Sequence, residues 1–147
     1  MSNLPAASPI LKGKLYQGDI LGFTAFSPRV GLHVACPQEF PPEPASADEV
    51  IFCPLQDDPT VNWVKRPLWC RQVIKLARKV AQDIQQGKVV LVSCAAGLNR
   101  SGLISALALC GLGVPPVVAI QRVRERRPGA LFNPQFVKAI KVLGPRV

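Results

Sequence analysis

Histidine occurs once in the 147 residues, methionine once and tyrosine once, and the aromatics number only nine in all. The single histidine is His33, and none of the five cysteines stands in a C-x-x-C pair or beside it, so the common zinc sites are excluded. So few aromatics, in no aromatic-rich motif, provide no stacking platform for nucleic acid. Acidic residues are scarce too, nine against 18 Lys and Arg, leaving a net charge of +9. That balance suits polyanions and phosphorylated partners, and a specific nucleic-acid reader is the weaker of the two. The longest apolar stretch, Leu103 to Val118, is broken by Gly111, Gly113, Pro115 and Pro116 and is too short to span a bilayer, so no membrane attachment is expected. The opening Met1-Ser2-Asn3-Leu4-Pro5 has no basic region followed by an apolar run, so no secretory signal is expected. Cys36, Cys53, Cys70, Cys94 and Cys110 are odd in number and widely spread, which fits a reducing, cytoplasmic setting.

What is present is the composition of a globular chain: 48% hydrophobic and 18% charged, at a length that fills one domain, taken as 1–147. Residues 1–9, rich in Ser, Ala and Pro, read as a loose leader. Leu15-Tyr16-Gln17-Gly18 and Val30 to Ala35 read as strands, Pro37 to Ser46 as a proline-rich surface loop, and Glu49 to Leu55 as a buried strand. From Pro67 to Gln86, Trp69, Val73, Leu76, Val80 and Ile84 recur every three or four positions, with Arg71, Lys75, Arg78 and Lys79 elsewhere on the wheel. This is an amphipathic helix stopped by Gly87. A β-branched run from Lys88 to Val92 follows, then helices over Arg100 to Leu112 and from about Pro115 to Arg127, and a last one capped by Asn133-Pro134. Buried strands alternating with helices predict an α/β fold, with a mostly parallel sheet flanked by helices on both faces.

Chemistry concentrates in Val89-Val90-Leu91-Val92-Ser93-Cys94-Ala95-Ala96-Gly97-Leu98-Asn99-Arg100-Ser101-Gly102. A buried strand ends at a cysteine, and an arginine six positions on opens a helix. The five residues between, Ala95, Ala96, Gly97, Leu98 and Asn99, can wrap their N–H groups around a tetrahedral oxyanion, with Gly97 allowing a tight or left-handed turn. Arg100 would supply a fork to two phosphate oxygens. The same positive surroundings favour a thiolate at Cys94, which can attack phosphorus, and Ser101 is placed to hydrogen-bond the departing sulfur when the phosphocysteine is hydrolysed. Such covalent catalysis needs no metal or cofactor. A Cys and an Arg at this spacing arise by chance in about a third of shuffled chains, but adding Gly97 and Ser101 lowers this to the order of one in a thousand. An ester leaving group needs a proton, and Asp57 and Asp58 in Pro54-Leu55-Gln56-Asp57-Asp58-Pro59 are candidate acids; alternatively they cap a turn. Cys36, at the end of the strand 30–35, either packs or protects Cys94 as a disulfide partner, with Cys53 as a rival.

The run from Val89 to Gly102 resembles the signature loop of the dual-specificity subgroup of cysteine-dependent protein tyrosine phosphatases. Leu15 to Gly18 resembles the family's first strand, Pro54 to Asp57 its general-acid loop, and Val123-Arg124-Glu125-Arg126-Arg127-Pro128-Gly129 with Asn133 and Phe136 its closing helices. The resemblance implies that Cys94 is the nucleophile, Arg100 the phosphate ligand, Ser101 the aid to thiolate departure, and Asp57 rather than Asp58 the acid. It also implies phosphotyrosine substrates, with phosphoserine and phosphothreonine accepted. The absence of lysine from the loop ranks phosphoproteins above inositol lipids. One position departs: the family usually has histidine where this chain has Ser93, which implies an altered thiolate and rate. His33, the only histidine, is expected to be structural. Two rival readings remain, an RNA 5′-triphosphatase of the same fold, which needs no aspartic acid, and a weakly catalytic phosphopeptide-binding module.

Overall fold

The computed structural model describes residues 4–37 and 42–147. Among these, five strands form one sheet: β1 (Ala7–Leu11), β2 (Leu15–Gly18), β3 (Val30–Ala35), β4 (Ala47–Phe52) and β5 (Val90–Ser93). Their spatial order is β1-β2-β5-β3-β4. Only the β1–β2 pair is antiparallel; β5 lies parallel to both β2 and β3, with Gly18 and Ala35 flanking Ser93. The four α-helices are α1 (Pro67–Gln85), α2 (Arg100–Gly111), α3 (Pro116–Arg126) and α4 (Pro134–Leu143).

Local chemistry explains these boundaries. Proline, whose missing N–H costs nothing in a first turn, opens α1, α3 and α4. At the other end of α1, Gly87 adopts φ +85° and donates to Ile84 O, while Lys88 N–H reaches Asp83 O, the paired bonds of a glycine-terminated helix. β5 is Val-Leu-Val-Ser with every residue buried, as a central parallel strand requires. α2 is buried from Arg100 to Leu109, the state of a helix apolar on all sides.

The apolar sides of all four described helices merge with Leu15, Leu32, Val34, Val90 and Val92 in one core. The opposite sheet face carries a smaller cluster of Val30, Ala47 and Leu91, with Tyr16, Phe23 and Phe26 against it; Phe23 belongs to a 3-10 turn, Gly22–Ala25. The expected helical cover on both faces is thus present but uneven, with α-helices on one side and a 3-10 turn on the other.

Two expectations need correction. The loose leader expected at 1–9 does not extend over Ala7, Ser8 and Pro9, which belong to β1; Pro9 is tolerated there because β1 is an edge strand. The strand expected at 49–55 begins and ends earlier, at Ala47 and Phe52. Its charged residues Asp48 and Glu49 sit exposed on the opposite edge strand, so polarity there does not break the ladder. Of the loop expected at 37–46, residues 38–41 lie outside the described residues.

Candidate active site

Cys94 follows the last residue of the central strand, at the carboxyl end of the parallel strands, where open α/β sheets place their ligands. Its thiol is buried, and two groups of Ser101 face it: the N–H donates to Sγ at 3.4 Å, and Oγ lies 3.2 Å away, where the hydroxyl can donate to a thiolate. Ser101 is thus held by the first turn of α2, whose N-terminal dipole adds positive potential at the sulfur. Arg100, the first residue of α2, is also buried, and its Nη1 donates to Leu55 O at 3.4 Å.

Between them, the loop turns its carbonyls outward, where side chains hold them. Gln17 Nε2 donates to Gly97 O at 2.9 Å and to Leu98 O at 3.4 Å. Arg127 Nε donates to Gly97 O at 2.7 Å and Nη2 to Ala96 O at 3.2 Å. Leu131 N–H takes Leu98 O as well. With the carbonyls engaged outside, the N–H groups of Ala95 to Asn99 have no protein acceptor among the described residues. N–H groups left free in this way are the kind of donor set that can hold an anion. Gly97 makes the turn at φ +72°, and a Cβ there would lie 2.5 Å from the Gly18 carbonyl carbon. No residue but glycine fits both the dihedral and the space.

Arg127 was not singled out by sequence reasoning, although a signal existed. It continues the buried face of α3 through Ala119, Ile120 and Val123, an odd place for a charge. It is 1% exposed, and its other amino group donates to Pro5 O at 2.7 Å and Ser8 Oγ at 2.9 Å, tying the loop to β1. Burial pulls its pKa below the usual arginine value, while Asp19 and Cys94 act in the opposite direction.

The two aspartates have different surroundings. Asp58 accepts from the N–H and hydroxyl of Thr60, at 2.9 and 2.6 Å, and caps that turn; those bonds hold its carboxyl below the ordinary value. Asp57 instead meets the loop after β5: Asn99 Nδ2 donates to Oδ2 at 2.9 Å and Asn133 Nδ2 to Oδ1 at 2.7 Å. Asn133 also accepts from Gln135 and Phe136 N–H as the cap of α4, and its own N–H donates to Asn99 Oδ1. Trp63, stacked on Trp69 at 5.3 Å, donates from Nε1 to Asp58 O and fixes the loop from behind.

Cys36 adjoins the site, since its N–H donates to Ser93 O at 2.8 Å. Burial, then Cys53 and Cys94, push its thiol well above the usual value. The five cysteines are all free thiols. The only histidine, expected to be structural, is buried and hydrogen-bonded on both sides: Nε2 lies 2.6 Å from Ser93 Oγ and Nδ1 2.6 Å from Ser46 Oγ.

The same fold is seen in solved phosphatases, dual-specificity members among them. Human DUSP28 superposes with a TM-score of 0.80 at 21% identity, over 97% of this chain and 95% of that one. Tk-PTP in its active form gives 0.77 at 23% identity, over 97% and 99%. PTPMT1, in complex with PI(5)P, gives 0.72 at 14% identity, over 97% and 96%. No family model matches the sequence, and no curated protein is similar to it. The likeness is one of fold.

Proposed function

We propose that this protein is a cysteine-dependent phosphomonoester hydrolase acting on phosphoproteins, phosphotyrosine first. The observation that carries the reading is the convergence on one loop of a sulfur faced by Ser101, outward-held carbonyls, Arg100, and a carboxylate tethered by Asn99. Cys94 thiolate attacks phosphorus, forming the S–P bond as the P–O ester bond breaks. Asp57 delivers its proton to the leaving oxygen, and Arg100 with the loop N–H groups holds the equatorial oxygens. Water then attacks phosphorus, giving its proton to the Asp57 carboxylate, and the S–P bond breaks while the Ser101 hydroxyl stabilises the returning thiolate.

Asp57's tether to the loop favours ester hydrolysis over the RNA triphosphatase alternative, whose pyrophosphate leaving group needs no acid. The loop side chains Ala95, Ala96 and Leu98 offer no cation for the extra phosphates of inositol lipids. Hydrolysis of para-nitrophenyl phosphate and of phosphotyrosine, phosphoserine and phosphothreonine peptides, beside triphosphorylated RNA, tests the reading. Cys94→Ser abolishes turnover, Asp57→Asn lowers peptide turnover by about 10²–10⁴-fold, and Asp58→Asn leaves it within a few-fold. Full activity of Asp57→Asn on RNA supports the triphosphatase. Phosphopeptide binding with no turnover from pH 5 to 8 supports a binding module.

A further inference from the structure

The chemistry above makes no use of the one histidine. His33 lies on β3, beside β5, and its ring turns to the sheet face away from the α-helices, stacked with Phe23 at 6.5 Å. Its two nitrogens contact the hydroxyls of Ser93 and Ser46 at 2.6 Å each, and both serines are 2% exposed. Burial lowers its pKa to about 4, so the ring is neutral at working pH. A neutral imidazole has one donor and one acceptor. Ser46, His33 and Ser93 therefore form a one-way chain of hydrogen bonds, whose direction the tautomer sets and in which both ring nitrogens are used.

The end of that chain is the residue bonded to Cys94. Ser93 is already held within the sheet, because its carbonyl accepts from Cys36 N–H at 2.8 Å, and the next N–H, that of Cys94, donates to Gly18 O at 3.2 Å. Those bonds lie along the sheet, whereas the Ser93 side chain is held from the face. The backbone leaving β5 is thus fixed from both neighbouring strands and from the face.

We propose that His33 is a positioning residue: through Ser93 it sets how the chain leaves β5, and so where Cys94 Sγ stands relative to Ser101 and the loop N–H groups. The consequence for turnover rests on Cys94 being the nucleophile; the placement of its sulfur does not. Around that sulfur the charged or titratable groups among the described residues include Arg100 from α2, Arg127 beyond α3 and Cys36 just after β3, with Asp57 joined through Asn99. Glu43 lines the same cavity of about 200 Å³ as His33 and Ser93, as its carboxylate among the described residues.

The test follows alkylation of Cys94 by iodoacetamide from pH 5 to 9, read by mass spectrometry on its own peptide. The full chain is compared as wild type, His33→Leu, Ser93→Ala, the double variant and His33→Gln. The two single variants each slow alkylation of Cys94 at pH 6 about tenfold. The double variant is no worse than either single one, because both cut the same link. His33→Gln, which keeps a polar amide able to hydrogen-bond Ser93, recovers much of the loss, which volume alone would not. Wild-type alkylation in folded Ser93→Ala, or additive effects in the double variant, overturns the proposal. Phosphatase turnover is measured in parallel. If wild type turns over no phosphate ester while alkylation shifts as stated, the enzymatic reading fails and the positioning role stands. Normal turnover with unshifted alkylation sinks the positioning role alone.

Discussion

Replacing Arg127 by methionine keeps the aliphatic stem and removes four donated bonds, to Gly97 O, Ala96 O, Pro5 O and Ser8 Oγ. Pro5 and Ala96 are exposed, so water can take over at those two carbonyls. Ser8 and Gly97 are buried, although Gln17 still serves the second. Hydrogen bonds from a charged donor contribute about 1.5–3 kcal/mol each, and relief of the buried guanidinium returns part of the two buried ones. The net loss is about 3 kcal/mol, or roughly 6–12 °C in Tm for a chain of this size. Urea denaturation at pH 7 measures it. The loop should suffer more than the fold: with Gly97 and Ala96 carbonyls released, the peptide groups are free to rotate, and alkylation of Cys94 at pH 6 slows. Arg127→Lys keeps the charge without the fork, so it loses about half the stability and most of the loop order. A methionine variant within 0.5 kcal/mol of wild type, with unchanged alkylation, would refute the role given to this arginine.

Gly97→Ala combines a left-handed dihedral, worth about 1–2 kcal/mol, with a Cβ only 2.5 Å from the Gly18 carbonyl carbon. The variant stays folded in urea titrations but loses phosphate-ester turnover, because the loop must shift as a unit. His33 makes stability depend on pH in a stated direction. Its pKa falls from 6.5 to about 4 on folding, so the unfolded chain binds a proton in that interval and the native state does not. The stabilisation is complete above pH 6.5 and is lost as the pH falls towards 4, roughly 3 kcal/mol in all. Urea midpoints between pH 7 and 4 should fall accordingly, and His33→Gln should flatten that fall.

The stretch from β5 through the loop to α2 is legible in the sequence because every link is local: a β-branched strand, a small-residue turn with glycine, and an arginine opening a helix. α1 is as clear, since proline and glycine bracket an uninterrupted apolar period. What escapes is decided across long separations. Asp57 and Asp58 are neighbours with equal local claims, and the difference lies in Asn99 and Asn133, 42 and 76 positions away. His33 reaches Ser93 across 60 positions, through a strand register that no local pattern encodes. β1 is obscured by its own Ser8-Pro9, acceptable only because it is an edge strand.

The carbonyls of Ala96, Gly97 and Leu98 are gripped from outside by Gln17, Arg127 and Leu131. The electrical polarity of the concavity is therefore inherited from its scaffolding, and the side chains at 95, 96 and 98 are left to vary. Mutational tolerance should run opposite to distance from the bound anion: lenient at those three lining positions, strict at Gln17 and Arg127 behind them. A library that randomises only the lining would explore recognition while leaving the cradle's sign intact.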